Sequence, residues 1–530
     1  MTPQFESVLK LVGRLLLALL AAGLWWLSFP EPDRGLACWF VLTPLVLACR
    51  GLGPFAAAGL GFLFGVVGGY AIYSWLFGVV GFGLHHSLLV AAAYAPIQAL
   101  FGFCLPLLRR SRLPFVLTAP ALWTALEFAK GHFGFLAAPW ATFAQSQHAD
   151  LPLLQIATLG GEAAVTFFVA LGGVAVAEAV ARRSFRPLAL PAAAIVLAHF
   201  GGLIALRVGS RPAEVRVAAV QPAALFEEIV TAPGEEKVHQ RLFDGTRRAA
   251  GYRPAFIAWP ETAIQNLPRR PDLEKAVQSL TDEVQVPIVV GTSVSQKFLV
   301  KGPTMTARLR AYNSSYLYRP GQSPEGPYNK VVLLPFGEFV PMPWFPWPRW
   351  LVHMTFDVVP GRGEGSLLAL PDGTRLAPII CWENLFSTLV RRRVAAGADL
   401  VVHQANLSWF GRTEAPLQHR LATVLRAVEN RVPVVVASNL GPSTVIDGWG
   451  RIVADEPRLF APGLVTASVP KGSGPTFYTR FGDVFAWLTT LLVIAGLALA
   501  HRPEPPPPSR SKERRRDRRH ANDATRRDER

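Results

Sequence analysis

The sequence predicts a multi-span α-helical membrane domain, about eight transmembrane helices in all, joined to one α/β domain outside the cytoplasm. Three observations predict it. Of 530 residues 51% are hydrophobic, mean hydropathy is +0.28, and the excess lies on the N-terminal side. Near Pro212 the long apolar runs give way to short apolar strands separated by charged segments. Near Val484 one last apolar run begins, followed by Pro505 to Pro508 and an arginine-rich tail from Arg514 to Arg519. The net charge of +16 does not mark a nucleic-acid binder, because the arginines gather between apolar runs and in the tail, where they set topology.

In chain order, spans are expected near 11–29, 36–49, 54–77, 87–108, 113–131, 152–181 and 187–206, most of them near the ~20 residues that cross a bilayer. The first leaves through Pro30-Glu31-Pro32-Asp33-Arg34 rather than a small-residue cleavage site, so it reads as a retained anchor. With a cytoplasmic N-terminus, the even-numbered exits carry Arg50, then Arg109, Arg110 and Arg112, then Arg182, Arg183 and Arg186. That register obeys the positive-inside rule and leaves the chain outside near Arg207. Glu127 lies in an apolar segment and has two readings, a partnered or functional carboxylate and a helix-end residue at the interface. The stretch Phe135 to Trp140 and the run Gln145 to His148 are expected on the outer side, lining an access route. His85 and His86 read as interfacial, with no further ligands at metal-binding spacing.

Beyond Pro212, residues 215–220, 256–259, 288–291, 400–403 and 434–438 read as buried strands, with helices over 274–283 and 418–430 between them. The run 484–500 reads as an eighth span returning to the cytoplasm, and the tail as disordered. The expected organisation is a membrane domain over 1–211, a catalytic α/β domain over 212–478, a C-terminal span over 479–501 and a Pro/Arg-rich tail over 502–530.

The chemistry centres on Cys381. The run Leu376 to Ile380 ends abruptly in this cysteine, as a strand delivering a nucleophile at its exposed end does. The chain has four cysteines, and the other three lie in apolar runs, which leaves Cys381 without a disulfide partner in its own domain. The alternative is a small apolar residue buried at a strand end. Trp259-Pro260-Glu261 places a carboxylate after a strand, suited to general base and acid work. Tyr328-Asn329-Lys330 places an ammonium before an apolar run that ends in Gly337-Glu338. Lysine stabilises an oxyanion, and its charge favours a nearby thiolate. Each residue singly has an ordinary surface reading; together they make base, oxyanion stabiliser and nucleophile.

Glu261 in Trp-Pro-Glu, Lys330 in Tyr-x-Lys and Cys381 in Ile-Cys-x-Glu resemble the nitrilase superfamily of carbon-nitrogen hydrolases. With the multi-span N-terminal region, the closing span and the run Leu334 to Pro341, the chain resembles the membrane-bound branch of that superfamily, the bacterial apolipoprotein N-acyltransferases. The resemblance covers nearly the whole chain up to the tail. It implies an α-β-β-α sandwich on the periplasmic side of the inner membrane, both termini cytoplasmic, and a two-step acyl transfer. The implied donor is a phospholipid, the implied acceptor the diacylglyceryl-cysteine of an apolipoprotein, and neither metal nor cofactor is required. Glu261 carries over as general base, Lys330 as oxyanion stabiliser and Cys381 as nucleophile. Glu338 and Glu383 carry over as groups that orient or polarise the triad. Asn313 and Trp409 match supporting positions of the family site.

The chain departs from the family pattern in places. Leu407 stands where an acidic residue is usual, Leu440 where a polar one is, and a tryptophan expected shortly after Gln221-Pro222 is missing. These exchanges bear on the acceptor, so a nitrilase-type amidase or an acyltransferase for another amine is the alternative. A transporter or lipid scaffold is a third reading; no internal repeat supports it. The segment Met342 to Trp350, with three tryptophans, reads as a loop at headgroup level guarding lipid access, or as a loop packed on its own domain.

Overall fold

The computed structural model describes residues 3–79, 82–209, 213–229, 231–300, 306–348, 357–362 and 367–500. The tail over 502–530 and Trp350 of the tryptophan-rich loop lie outside the described residues.

The N-terminal region forms α1 (Pro3–Leu27), α2 (Leu42–Cys49), α3 (Pro54–Ile72), α4 (Leu84–Leu108), α5 (Phe115–Lys130), α6 (Ala157–Arg182) and α7 (Ala189–Val208). Five described segments are long and apolar enough to cross a membrane, namely Gln4–Leu27, Pro54–Ile72, Leu84–Leu108, Ala157–Arg182 and Arg186–Val208. Large apolar side chains such as Leu16, Phe55, Leu88, Leu197 and Phe200 are exposed on these helices, as lipid contact requires. Small residues let α3 and α4 approach closely. A side chain at Gly61 would strike the Gln98 carbonyl, and one at Gly102 the Ala57 carbonyl.

Other apolar segments form shorter helices. The run 36–49 becomes a 3-10 turn, Gly35–Phe40, followed by the eight residues of α2; α5 has 16 residues, and the closing helix fills its run with 17. The run 152–181 is broken: a short turn, Leu151–Leu154, precedes α6, and α6 itself kinks at Gly161, whose φ is +64°. A side chain on Gly161 would also collide with the Tyr478 ring, so glycine there is required twice over.

The α/β domain contains β1 (Glu214–Gln221), β2 (Phe256–Ala258), β3 (Ile264–Gln265), β4 (Ile288–Val300), β5 (Thr306–Arg319), β6 (Gln322–Asn329), β7 (Leu368–Ala369), β8 (Arg375–Ile380), β9 (Leu400–Ala405), β10 (Val434–Ser438), β11 (Ser443–Ile446), β12 (Ile452–Glu456) and β13 (Gly463–Pro470). One sheet has the order β13-β1-β2-β4-β5-β6, with β3 beside β4, and the second has the order β12-β11-β10-β9-β8-β7. β1, β2 and β4 are mutually parallel, as are β8, β9 and β10, and these strands are the ones whose apolar runs are continuous in sequence. Val217, Phe256, Val289, Leu376, Val402 and Val435 fill the space between the sheets.

Outside the first sheet lie α8 (Ala232–Ala250) and α9 (Pro271–Val284), which place Val238, Leu242, Val277 and Leu280 against Ile257 and Ile288. Outside the second lie α10 (Ser387–Ala395) and α11 (Ala415–Asn430). Their core is continuous with that of the membrane helices: Val401, Val434 and Leu421 belong to one apolar cluster with Trp140, Phe143 and Val165. The result is a helix-sheet-sheet-helix sandwich whose second helical layer is fused to the membrane domain. The closing helix α12 (Val484–Ala500) packs on α5 and α6.

Candidate active site

β8 runs through fully buried Ile379 and Ile380, and the chain then turns at Cys381, whose φ of +48° is unusual outside glycine. A 3-10 turn, Cys381–Leu385, follows. Glu383 holds this turn. Its fully buried carboxylate accepts the Ile380 N–H (2.8 Å), the Tyr328 hydroxyl (2.7 Å) and the N–H groups of Val331 (2.6 Å) and Val332 (3.1 Å). Burial pushes its pKa up against the pull of these donors. One side chain thereby clips the end of β8 to the segment that carries Lys330.

Lys330 is buried, with Nζ 2.8 Å from Glu338 Oε2 and 3.6 Å from Glu261 Oε1. Glu261 Oε1 accepts from Asn313 Nδ2 at 2.6 Å and Oε2 from the Asn406 N–H at 2.7 Å. Asn313 also reaches Glu338 at 3.4 Å, and Glu338 accepts the Leu334 N–H at 2.8 Å. The Cys381 thiol lies within electrostatic reach of Glu261, Lys330 and Glu338. The structure therefore brings Glu261, Lys330, Cys381, Glu338 and Asn313 into one cluster. Glu383 sits behind it, on backbone N–H groups and a tyrosine rather than on the thiol.

The electrostatics follow from one buried ammonium, one buried and one half-buried carboxylate and a half-buried thiol held close together. Burial pushes Glu261 up, Lys330 opposes this and Glu338 adds to it. Burial works against the charge on Lys330, but Glu338, then Glu261 and Cys381, outweigh it and hold its pKa above the ordinary value. The Cys381 thiol is pushed well up by burial and then by Glu261, with Lys330 pulling the other way. Lysine here does not produce a standing thiolate, because burial and Glu261 outweigh its pull. The thiol must pass its proton to a base as it attacks.

The remaining expected residues lie nearby. Trp409, half-buried, sits on the turn Ser408–Phe410, just beyond Asn406. That turn rests on the membrane domain, with Phe410 edge-on to Trp75 at 5.0 Å. Leu407 and Leu440 are each 2% exposed, so both are packed into the interior. Glu127 is partnered: it accepts from Trp123 Nε1 (3.0 Å), Thr166 Oγ1 (2.8 Å) and the Phe143 N–H (3.0 Å). The stretch it anchors is largely buried under the α/β domain, where Trp140 donates to Gln418 at 2.8 Å.

From the sequence, Gln418-His419 and Arg426 to Glu429 count only as stretches that support the family resemblance, and neither His419 and Arg426 nor Asn406 and His403 are given a role. His403 Nε2 lies 3.1 Å from the Cys381 carbonyl, and the His419 ring lies 5.2 Å from that of His403. Arg426, fully buried, donates to the Leu385 carbonyl (3.1 Å) and to Glu162 beside the α6 kink (2.6 Å). An ionisable residue inside an apolar strand or helix was the available signal for His403 and Arg426.

A family model described as carbon-nitrogen hydrolase matches residues 216–474, and one described as apolipoprotein N-acyltransferase N-terminal domain matches residues 21–175. The chain is 32% identical to the apolipoprotein N-acyltransferase of Geobacter metallireducens, over 94% of this chain and 97% of that one. It is 30% identical to that of Rhodopseudomonas palustris, over 92% and 96%. Among solved structures, an amidase from Nesterenkonia sp. matches at 19% identity and a TM-score of 0.37, over 53% of this chain and 97% of that one.

Proposed function

The chain belongs to the apolipoprotein N-acyltransferase family, and on that premise we propose that it moves a fatty acyl chain from a membrane phospholipid, by way of a thioester on Cys381, to the α-amine of an apolipoprotein's N-terminal diacylglyceryl-cysteine. The carrying observation is the convergence of a half-buried thiol, the buried carboxylate Glu261 and a buried lysine in one cluster.

In the first step Glu261 takes the thiol proton while Sγ attacks the ester carbonyl, and Lys330 stabilises the oxyanion. Collapse breaks the ester C–O bond, Glu261 returns the proton to the departing oxygen, and a lysophospholipid leaves. In the second step the amine attacks the thioester, Glu261 accepts its proton, and the C–S bond breaks as Glu261 passes that proton to Sγ, giving the amide, the free thiol and the restored base. A thioester stores the acyl group between steps without a cofactor. Glu338 keeps Lys330 pointed at the reacting oxygen, and Glu383 keeps Lys330 and Cys381 in register. Asn313 and the Asn406 N–H hold Glu261. Trp409 borders the acyl site.

The placement we propose is a membrane domain over 1–211 with about seven crossings, a periplasmic catalytic domain over 212–478, a returning span over 479–501 and a cytoplasmic tail. The arginines at the even-numbered exits support this orientation. Trp344, 78% exposed, supports a headgroup-level role for its loop.

Intact-protein mass spectrometry tests the reading. Mixing with phospholipid is expected to add a fatty-acyl mass on Cys381, and a diacylglyceryl-cysteine lipopeptide is expected to remove it as an amide. An acyl mass that never moves would redirect the reading to another acceptor; no acyl mass on folded enzyme would sink it.

A further inference from the structure

The backbone of Cys381 is held by residues that take no part in these steps. His403 stands on β9 opposite Ile379 of β8, and its Nε2 is 3.1 Å from the Cys381 carbonyl. A carbonyl can only accept, so Nε2 carries the proton. Nδ1 is then an acceptor, and the hydroxyl of Thr423, 3.4 Å away, is its donor. Thr423 Oγ1 in turn accepts from Asn384 Nδ2 at 2.9 Å, and the same amide nitrogen donates to the His419 carbonyl at 2.8 Å. Asn384 belongs to the turn that Cys381 opens, so the bonds run out from that turn and close on it again. His403, Thr423 and Asn384 are all fully buried. Burial pushes His403 down to about 4, which keeps the ring neutral and this proton arrangement unique near neutral pH.

We propose that His403 is a positioning residue for the nucleophile: by donating from Nε2 to the Cys381 carbonyl it holds residue 381 in its left-handed conformation and keeps the thiol aimed at Glu261 and Lys330, while Asn384 and Thr423 fix its tautomer. A non-glycine residue in that conformation is strained and persists only where its surroundings over-determine it. The histidine supplies that determination. In a trans peptide the carbonyl and the following N–H point to opposite edges, so fixing the Cys381 carbonyl also fixes the direction of the Trp382 N–H. That N–H opens a helical turn and has no acceptor within it.

The proposal rests on the acyl-transfer reading for its rate measurement and on geometry alone for a second measurement. Full-length enzyme in phospholipid nanodiscs is followed by rapid-quench intact mass, and Cys381 is separately alkylated with iodoacetamide, the other three cysteines being buried. His403→Phe is expected to lower the acylation rate constant about 100-fold, with half-saturating lipid shifted by less than about 2-fold. His403→Gln, whose amide can donate to the same carbonyl, is expected to recover about ten-fold of that loss. Thr423→Val, which removes one hydrogen bond, is expected to cost about 5-fold. Alkylation should slow in the same order. A folded His403→Phe enzyme with wild-type acylation and alkylation, or a glutamine variant no better than the phenylalanine one, would overturn the proposal. Should His403→Phe fail to fold, Thr423→Val at the wild-type rate overturns it. A wild-type enzyme that alkylates but forms no acyl-enzyme defeats the acyl-transfer reading instead, and the alkylation order then decides the role of His403.

Discussion

Lys330 gives its charge first to Glu338: Nζ lies 2.8 Å and 2.9 Å from the two Glu338 oxygens, against 3.6 Å from Glu261. Lys330, the oxyanion stabiliser we propose, is thus paired at rest with a carboxylate other than the proposed base, Glu261. Its pull on the thiol is opposed by burial, by Glu261 and by Glu338.

Removing that carboxylate should expose the pull. Glu338 raises the Cys381 pKa, so Glu338→Gln is expected to lower it and to speed iodoacetamide alkylation at neutral pH. Acyl transfer should fall about 10-fold or more, because the lysine loses its aim. Alkylation rates against pH check the first half; an unchanged midpoint contradicts it.

Glu261→Gln keeps the shape of the base and removes its proton affinity. The rate constant for acyl-enzyme formation is expected to drop about 100- to 10,000-fold, the usual worth of a general base, with lipid affinity retained. Cys381→Ala should abolish both half-reactions, which rapid-quench mass spectrometry reads directly.

Glu383→Ala is expected to cost stability before it costs chemistry. Four donors, at Ile380, Tyr328, Val331 and Val332, lose their acceptor in a buried site. Each orphaned donor costs about 1–3 kcal/mol, so a fall of several degrees or more in Tm is expected in a thermal-unfolding assay.

His403 also predicts an acid limb of stability. Its folded pKa, about 4, lies below the ordinary 6.5 because burial disfavours the charged ring. Above the unfolded value the contribution is fully present; it is lost as pH falls from about 6.5 through about 4, where the unfolded chain binds a proton that the folded chain excludes. Denaturation profiles of wild type and His403→Gln should differ in slope across that window and run parallel above it.

The parallel strands were legible because burial on both faces forces continuous apolar runs: 215–220, 400–403 and 434–438 all lie within observed strands. Elements with mixed patterns were not. The polar far half of β4 and its partner β5 carry no apolar run, yet their antiparallel register pairs Ser293 with Asn313 and so delivers that asparagine to Glu261. The kink at Gly161 was hidden because a glycine in an apolar run reads as one more membrane residue, and the Tyr478 ring packed against it lies over three hundred residues away.

By itself the sequence determined the chemistry available: a thiol at a strand end, a carboxylate after another strand, a lysine before a third segment, and a run of apolar helices to keep them beside lipid. Composition and periodicity settle such matters, because they depend on solvent and neighbours along the chain. Only the tertiary structure decided how those groups are charged and held. Proton affinities in a dry site depend on distances of a few ångströms between residues remote in sequence, so Lys330 answers to Glu338, and Cys381 keeps its proton for Glu261. The left-handed turn at Cys381 was decided there too, since Glu383 of the turn itself finds its donors on the remote Lys330 segment and the Cys381 carbonyl finds His403 on the neighbouring strand.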